Sequence, residues 1–317
     1  MMRSVDAIMA ARRAESFTKR SIKASSKQHA LRCAVSMLDL TTLEGKDTPE
    51  KVRALCRKAI QPVDIPAGRP PLELPIPHVA AVCVYPMLVP AAKEALAGSG
   101  VNVAAVATGF PSGQYPLDVR LRDCAEAIAA GADEIDMVIS RGLFLAGRLE
   151  DIAREIRETR ALCAQPPKGQ PAHLKIILET GELETLDNVR RASDLAIEAA
   201  CSVPGIGAPK DGEVFIKTST GKVQPAATMP VTLVMLEAIR DHYLATGIRI
   251  GMKPAGGIRT AKQAISYLVM VKETLGDDWL TPHLFRFGAS ALANDLARQI
   301  LRMQGGGYMA AYDITEA

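Results

Sequence analysis

A chain of 317 residues, 48% apolar and 23% charged, has the length for one large or two ordinary domains and the composition of neither a disordered chain nor a membrane bundle. Its net charge is +3, but residues 1–32 alone hold eight basic and two acidic side chains, so the remainder is slightly acidic. Such a body lacks the broad cationic field that nucleic-acid binding needs, and no apolar run reaches the ~20 residues of a membrane span. Six cysteines lie tens of residues apart with no CxxC pair, which reads as reduced thiols and a cytoplasmic protein.

In chain order, residues 1–33 read as a basic helical arm. Arg3, Arg12, Arg13, Lys19, Arg20 and Lys23 stand among Ser and Ala as in an organelle presequence, but Asp6 and Glu15 interrupt that pattern. Eight short strand signals follow: Ala34–Thr41, Val79–Pro86, Asn102–Gly109, Glu134–Ser140, His173–Thr180, Glu213–Thr220, Gly251–Ile258 and Leu284–Ser290. Helix-period segments separate them, among them Pro116–Ala130, Leu149–Cys163, Leu186–Cys201, Pro230–Ala245, Thr260–Leu275 and Ala291–Met303. This alternation predicts parallel strands joined by crossover helices. Eight such units over residues 34–304 match an α/β fold of the (β/α)8 TIM barrel type with an N-terminal helical extension, and no GxGxxG follows the first strand to favour a dinucleotide fold. Residues 305–317 read as a flexible tail released by Gly305–Gly307.

The strands carry charges where a barrel interior should be apolar. Lys217 shares a face with Phe215 and Ser219, and Lys253 shares one with Gly251 and Ala255; Lys175, Asp136 and Asp39 each alternate with apolar neighbours. If those neighbours face the helices, three lysines and two aspartates meet inside one barrel. A register-fixing ion-pair cluster is the plainer account of any single member. The set suggests catalysis, because an ammonium crowded by a second cation, or desolvated, has a depressed pKa and its free amine can form a Schiff base. Which lysine does so stays open from the residues alone.

Competing chemistries have less support. The five histidines show no metal-ligand spacing, so no metal is expected, and no GxSxG elbow is present. Cys83 reads as a buried strand thiol; the alternative places it close enough to the site for reactive aldehydes to modify it. Three glycine-bearing strand ends, Thr218-Ser219-Thr220-Gly221-Lys222, Gly256-Gly257 and Gly288-Ala289-Ser290, are candidates to bind phosphate, since barrels hold phosphate on the loops after their last strands. Arg259 could assist or pair with a helix carboxylate.

Eight blocks in order make the sequence resemble the deoxyribose-phosphate aldolase family: LDLTTL (38–43), AAVCVYP (80–86), VATGFPSG (106–113), EIDMVI (134–139), LKIILETGEL (174–183), FIKTSTGK (215–222), MKPAGGIR (252–259) and FRFGAS (285–290). The longer N-terminus is similar to that of the long, eukaryotic-type branch. The resemblance implies a class I aldolase that cleaves 2-deoxyribose 5-phosphate reversibly to glyceraldehyde 3-phosphate and acetaldehyde. It implies Lys217 as the Schiff-base lysine, Lys253 as the ammonium that lowers its pKa, and Asp136 as the acid/base residue acting through water. Gly221, Lys222, Gly256, Gly257, Gly288 and Ser290 would form the phosphate site, with Asp39, Lys175 and Thr180 in support. Ala291 stands where the family often has a second serine, and the chain ends in Ala317 rather than the terminal Tyr of short members, so Tyr308 and Tyr312 are candidates for a tail proton shuttle. The implied partners are a small phosphorylated sugar and acetaldehyde, with a homo-oligomer compatible and no cofactor. Two alternatives remain: a Schiff-base aldolase or transaldolase acting on another sugar phosphate, and a catalytically silent barrel acting as an interaction protein.

Overall fold

A computed structural model describes residues 4–63 and 75–305. The elements, in chain order, are α1 (Ala7–Thr18), α2 (Ala24–Ser36), β1 (Asp39–Thr41), α3 (Pro49–Ile60), β2 (Ala81–Val84), α4 (Val89–Ala95), β3 (Asn102–Ala107), α5 (Leu117–Ala129), β4 (Glu134–Val138), α6 (Arg141–Leu145), α7 (Leu149–Ala164), β5 (His173–Ile177), α8 (Leu186–Cys201), β6 (Val214–Lys217), α9 (Met229–Thr246), β7 (Gly251–Lys253), α10 (Ala261–Leu275) and α11 (Ser290–Gly305). The seven strands form one parallel sheet in sequence order, β1 to β7. Its two edges are bridged by residues 284–288. Phe285 pairs with Met252, Gly288 with Ala255 and Phe287 with Leu38, and the Phe287 amide donates to Met37 O at 2.8 Å while the Asp39 amide donates to Phe287 O at 2.9 Å.

Alternation along the strands separates two apolar regions. Ile135, Met137, Leu174, Ile176, Val214 and Ile216 join the large core beneath the helices, whereas Cys83, Ala104 and Val106 form a small separate cluster with Leu43. The charged residues of the strands share the second side. Helix starts follow ordinary capping: Thr48, Thr185, Thr228 and Thr260 each accept a hydrogen bond from a first-turn amide, and Thr260 with Gln263 completes a reciprocal capping box.

Two strand expectations need correction. Residues 34–36 are the last turn of α2, not strand, because Leu31, Ala34 and Val35 continue one buried helical face; a short apolar run does not by itself tell helix from strand. The seventh strand stops at Lys253, where Pro254 offers no N–H, and residues 284–288 next to it form isolated bridges instead of a regular strand. The basic arm is helical and packs on the outside. Ala10, Ala14 and Phe17 of α1 are buried, α1 lies on α9 and α10, and Arg20 makes a two-point contact with Glu273 at 2.8 and 2.9 Å. α2 runs through the expected boundary at residue 33 and packs on α10 and α11.

Candidate active site

Register brings the strand charges together. Asp136 lies opposite Lys175 across β4 and β5, and Lys217 lies opposite Lys253 across β6 and β7. One Asp136 oxygen contacts Lys217 Nζ at 2.7 Å and Lys253 Nζ at 2.8 Å, while its other oxygen accepts from Lys175 Nζ at 3.0 Å. Lys253 also meets Asp39 at 2.6 Å. Two residues absent from the sequence-based candidates complete the cluster. Glu134 pairs with Lys175, and Arg286 joins Asp39 at 2.8 Å to Glu134 at 3.0 Å. Glycine makes room inside: a Cβ on Gly288 would lie 3.2 Å from Lys253 Cε, and one on Gly251 would fall 2.5 Å from the ring of Phe215, the neighbour of Lys217 on the same face.

All seven charged side chains are buried. Four are cationic and three are carboxylates, so the cluster balances only when one cation gives up its proton. Contact geometry singles out which. Lys175 touches Glu134 and Asp136, Lys253 touches Asp39 and Asp136, and Arg286 touches Asp39 and Glu134, whereas Lys217 has Asp136 alone among the described residues. Burial pushes the Lys217 ammonium below the ordinary lysine value; Asp136 opposes this and Lys253 reinforces it. At Lys253 and Lys175 burial acts in the same direction but is outweighed by the paired carboxylates, and both stay raised. At Asp136 burial is outweighed by Lys175, Lys217 and Lys253, which hold the carboxyl well below its usual range. Cys83 Sγ lies 4.0 Å from Asp136, and burial pushes its thiol up to about 11, leaving it neutral.

Above this cluster the strand ends knit into a rim. Ser219 Oγ donates to Ala255 O at 2.5 Å and the Ala255 amide donates to Thr218 Oγ1 at 2.9 Å, joining the loops after β6 and β7. Gly256 has φ +77°, and a Cβ there would sit 2.7 Å from Ala226 Cβ and 3.6 Å from Gly221 Cα. Gly221 and Gly257 also have positive φ. Lys222 Nζ contacts Glu44 at 2.7 Å, and Ser290 Oγ, at the start of α11, accepts from the Thr41 amide at 2.7 Å and donates to Thr41 O at 3.0 Å. The Thr180 hydroxyl is buried and has no hydrogen-bond partner among the described residues. Arg259, a candidate for phosphate or for a helix carboxylate, donates its amide to Gln263 Oε1 at 2.9 Å. Tyr308 and Tyr312 lie outside the described residues.

A second buried charged group sits beneath the loops after β3 and β4. Arg120 pairs with Glu155 and donates to Thr108 O at 2.8 Å, Val138 O at 2.6 Å and Ser140 Oγ at 2.7 Å, while Glu155 accepts from the Ser140 amide at 2.8 Å.

The model of the DeoC/LacD family of aldolases matches residues 33–297. The chain belongs to that family. Within it, the deoxyribose-phosphate aldolase of Homo sapiens is 46% identical over 308 residues, which cover 96% of this chain and 91% of that protein. A solved apo-form structure from Toxoplasma gondii ME49 superposes with a TM-score of 0.68 at 24% identity, covering 87% of this chain and 98% of the other. The tetrameric deoxyribose phosphate aldolase from Aeropyrum pernix superposes with a TM-score of 0.57 at 21% identity, covering 90% of this chain and 100% of the other. At those identities the two structures show a shared fold with this chain and nothing further.

A signal for both unforeseen cluster members was present in the sequence. Glu134 is two residues before Asp136 and so on the same strand face, and Arg286 alternates with Phe285 and Phe287.

Proposed function

We propose that this DeoC/LacD-family chain is a class I aldolase that cleaves 2-deoxy-D-ribose 5-phosphate to glyceraldehyde 3-phosphate and acetaldehyde through an imine on Lys217. The 46% identity to the human aldolase over nearly the whole chain supports the substrate. The observation that carries the chemistry is the cluster of four cations and three carboxylates in which Lys217 has one carboxylate contact and each other cation has two. In the cleavage direction the neutral Lys217 amine attacks C1 of the open-chain sugar, and the carbinolamine loses water to give an iminium. Asp136, paired with Lys217 at 2.7 Å, relays protons through water and takes the C3 hydroxyl proton. The C2–C3 electron pair flows into the iminium, glyceraldehyde 3-phosphate departs, and the enamine takes a proton at carbon. Hydrolysis then frees acetaldehyde and Lys217. Lys253 remains a cation throughout, and the scheme draws on no metal or organic cofactor.

The same reading takes residues 284–288 as the eighth stave of a closed (β/α)8 barrel over residues 34–304, flanked by the arm 1–33 and the tail 305–317. It assigns the substrate phosphate to Gly221, Lys222, Gly256, Gly257, Gly288 and the Ser290 turn, which requires Lys222 to leave Glu44. Asp39 and Lys175 act through Lys253 and Asp136, and Thr180 offers its hydroxyl to the sugar. Free thiols fit a cytoplasmic setting, and a homo-oligomer is consistent with the tetramer of the relative from Aeropyrum pernix. The test is borohydride reduction in the presence of acetaldehyde, followed by peptide mass mapping. The expected result is an ethyl group on Lys217, with Lys217→Ala losing both the adduct and at least about a thousandfold in turnover. An adduct of full yield in Lys217→Ala would refute the assignment.

A further inference from the structure

Among the described residues, one of the buried carboxylates that the chemistry above leaves unused lies just past the end of β5. Glu179 follows β5, is fully buried, and has φ +53°, a left-handed conformation that is strained for a residue with a side chain. Its carboxylate accepts from the Thr220 amide at 3.2 Å and from the Thr220 hydroxyl, whose oxygen in turn accepts from the Lys222 amide at 3.0 Å. Two further contacts close the loop after β5 onto the loop after β6. The Thr180 amide donates to Thr218 O at 2.9 Å, and Gly181 lies so near Pro225 O that a Cβ would come within 2.2 Å of it. On the other side Glu182 holds Arg141 at 2.5 Å, and that guanidinium donates to Pro111 O at 2.7 Å and Ser112 O at 3.0 Å.

A carboxylate has the wrong sign to receive a phosphate, and the groups facing Glu179 are the amide and hydroxyl of Thr220. From this geometry we infer that Glu179 is a positioning residue for the phosphate end of the substrate: through Thr220 it fixes the turn that carries Gly221 and Lys222. The strained backbone at Glu179 is the conformation that delivers its side chain to that turn. Burial pushes the Glu179 carboxyl up and the Thr220 hydrogen bonds resist this, so the loop contact and the ionised state support each other. This inference rests on the proposed function, because it assigns the selectivity of that same site.

The test compares kcat/KM for 2-deoxyribose 5-phosphate with kcat/KM for unphosphorylated 2-deoxyribose, in the full chain. A general structural fault lowers both and leaves their ratio alone; a misplaced phosphate turn lowers the ratio. Glu179→Leu and Thr220→Val are expected to lower it about tenfold, the scale of one charge-assisted hydrogen bond. Glu179→Gln, which keeps a carbonyl oxygen for Thr220, should stay within about threefold of wild type. If Glu179→Leu does not fold, Thr220→Val and Glu179→Gln carry the comparison. A ratio unchanged in Thr220→Val, or lowered in Glu179→Gln as far as in Glu179→Leu, would overturn the inference while leaving the aldolase reading intact. A wild-type chain that cleaves neither substrate would overturn both.

Discussion

Two groups of charges are buried in the same domain, one on the strands inside the sheet and one beneath the loops after β3 and β4, and they differ in their arithmetic. Arg120 and Glu155 are one cation and one anion, each further hydrogen-bonded to Thr108, Val138 or Ser140, so the pair is neutral and satisfied as it stands. The cluster around Asp136 holds four cations against three carboxylates and cannot be neutral until one proton leaves. Burying charge is costly unless it is paired. A balanced group therefore locks loops together, and an unbalanced one forces a titration onto its least supported member, Lys217.

That contrast can be broken by changing the count. Asp136→Asn leaves four cations facing two carboxylates. The ascending limb of the rate against pH should then move to lower pH, because the one carboxylate that favours the Lys217 ammonium is gone, while loss of the proton relay cuts turnover about a hundredfold. Lys253→Met leaves three against three, a balance that keeps Lys217 protonated. The limb should move to higher pH, with turnover at neutral pH falling about tenfold, as one pKa unit would produce. Steady-state profiles across pH 5 to 11 distinguish the two by sign, and parallel shifts in one direction would contradict the count. The smallest effect on chemistry belongs to Arg120→Met. Denaturant unfolding should show a loss of about 3–5 kcal/mol because Glu155 is left buried and unpaired, but the ascending limb should stay where it is. A limb displaced in that variant would mean that the two groups are coupled.

Most of the buried charged cluster is legible in the sequence because strand alternation is a strict rule: a charge between apolar neighbours must face away from the helices. Lys217, Lys253, Lys175, Asp136 and Asp39 are legible for that reason, and the six helix-period segments start and stop within two residues of the observed helix ends. Choosing among the lysines needed either the family resemblance or the contacts, since alternation places all three on the same side. Ala34–Ser36 failed because an apolar run that short fits both periods. Arg120 and Glu155 were invisible, since a charge on an amphipathic helix normally faces solvent and only the loops after β3 and β4 bury them. Glu179 was equally hidden: its role comes from a left-handed backbone conformation that no local pattern announced. Lys222 reads from sequence as a point charge for phosphate, and its contact with Glu44 depends on a loop after β1, well over a hundred residues earlier in the chain.

The measurement closest to the central claim is the pH dependence of adduct formation at a single residue. Acetaldehyde and borohydride are applied across a pH series, and the modified peptide is quantified at each point. The account predicts modification at position 217 with an inflection clearly below the 10.5 of an ordinary lysine, because burial and Lys253 disfavour its charged form more than Asp136 favours it. An inflection at or above that value, or an adduct that maps instead to Lys175 or Lys253, would contradict it.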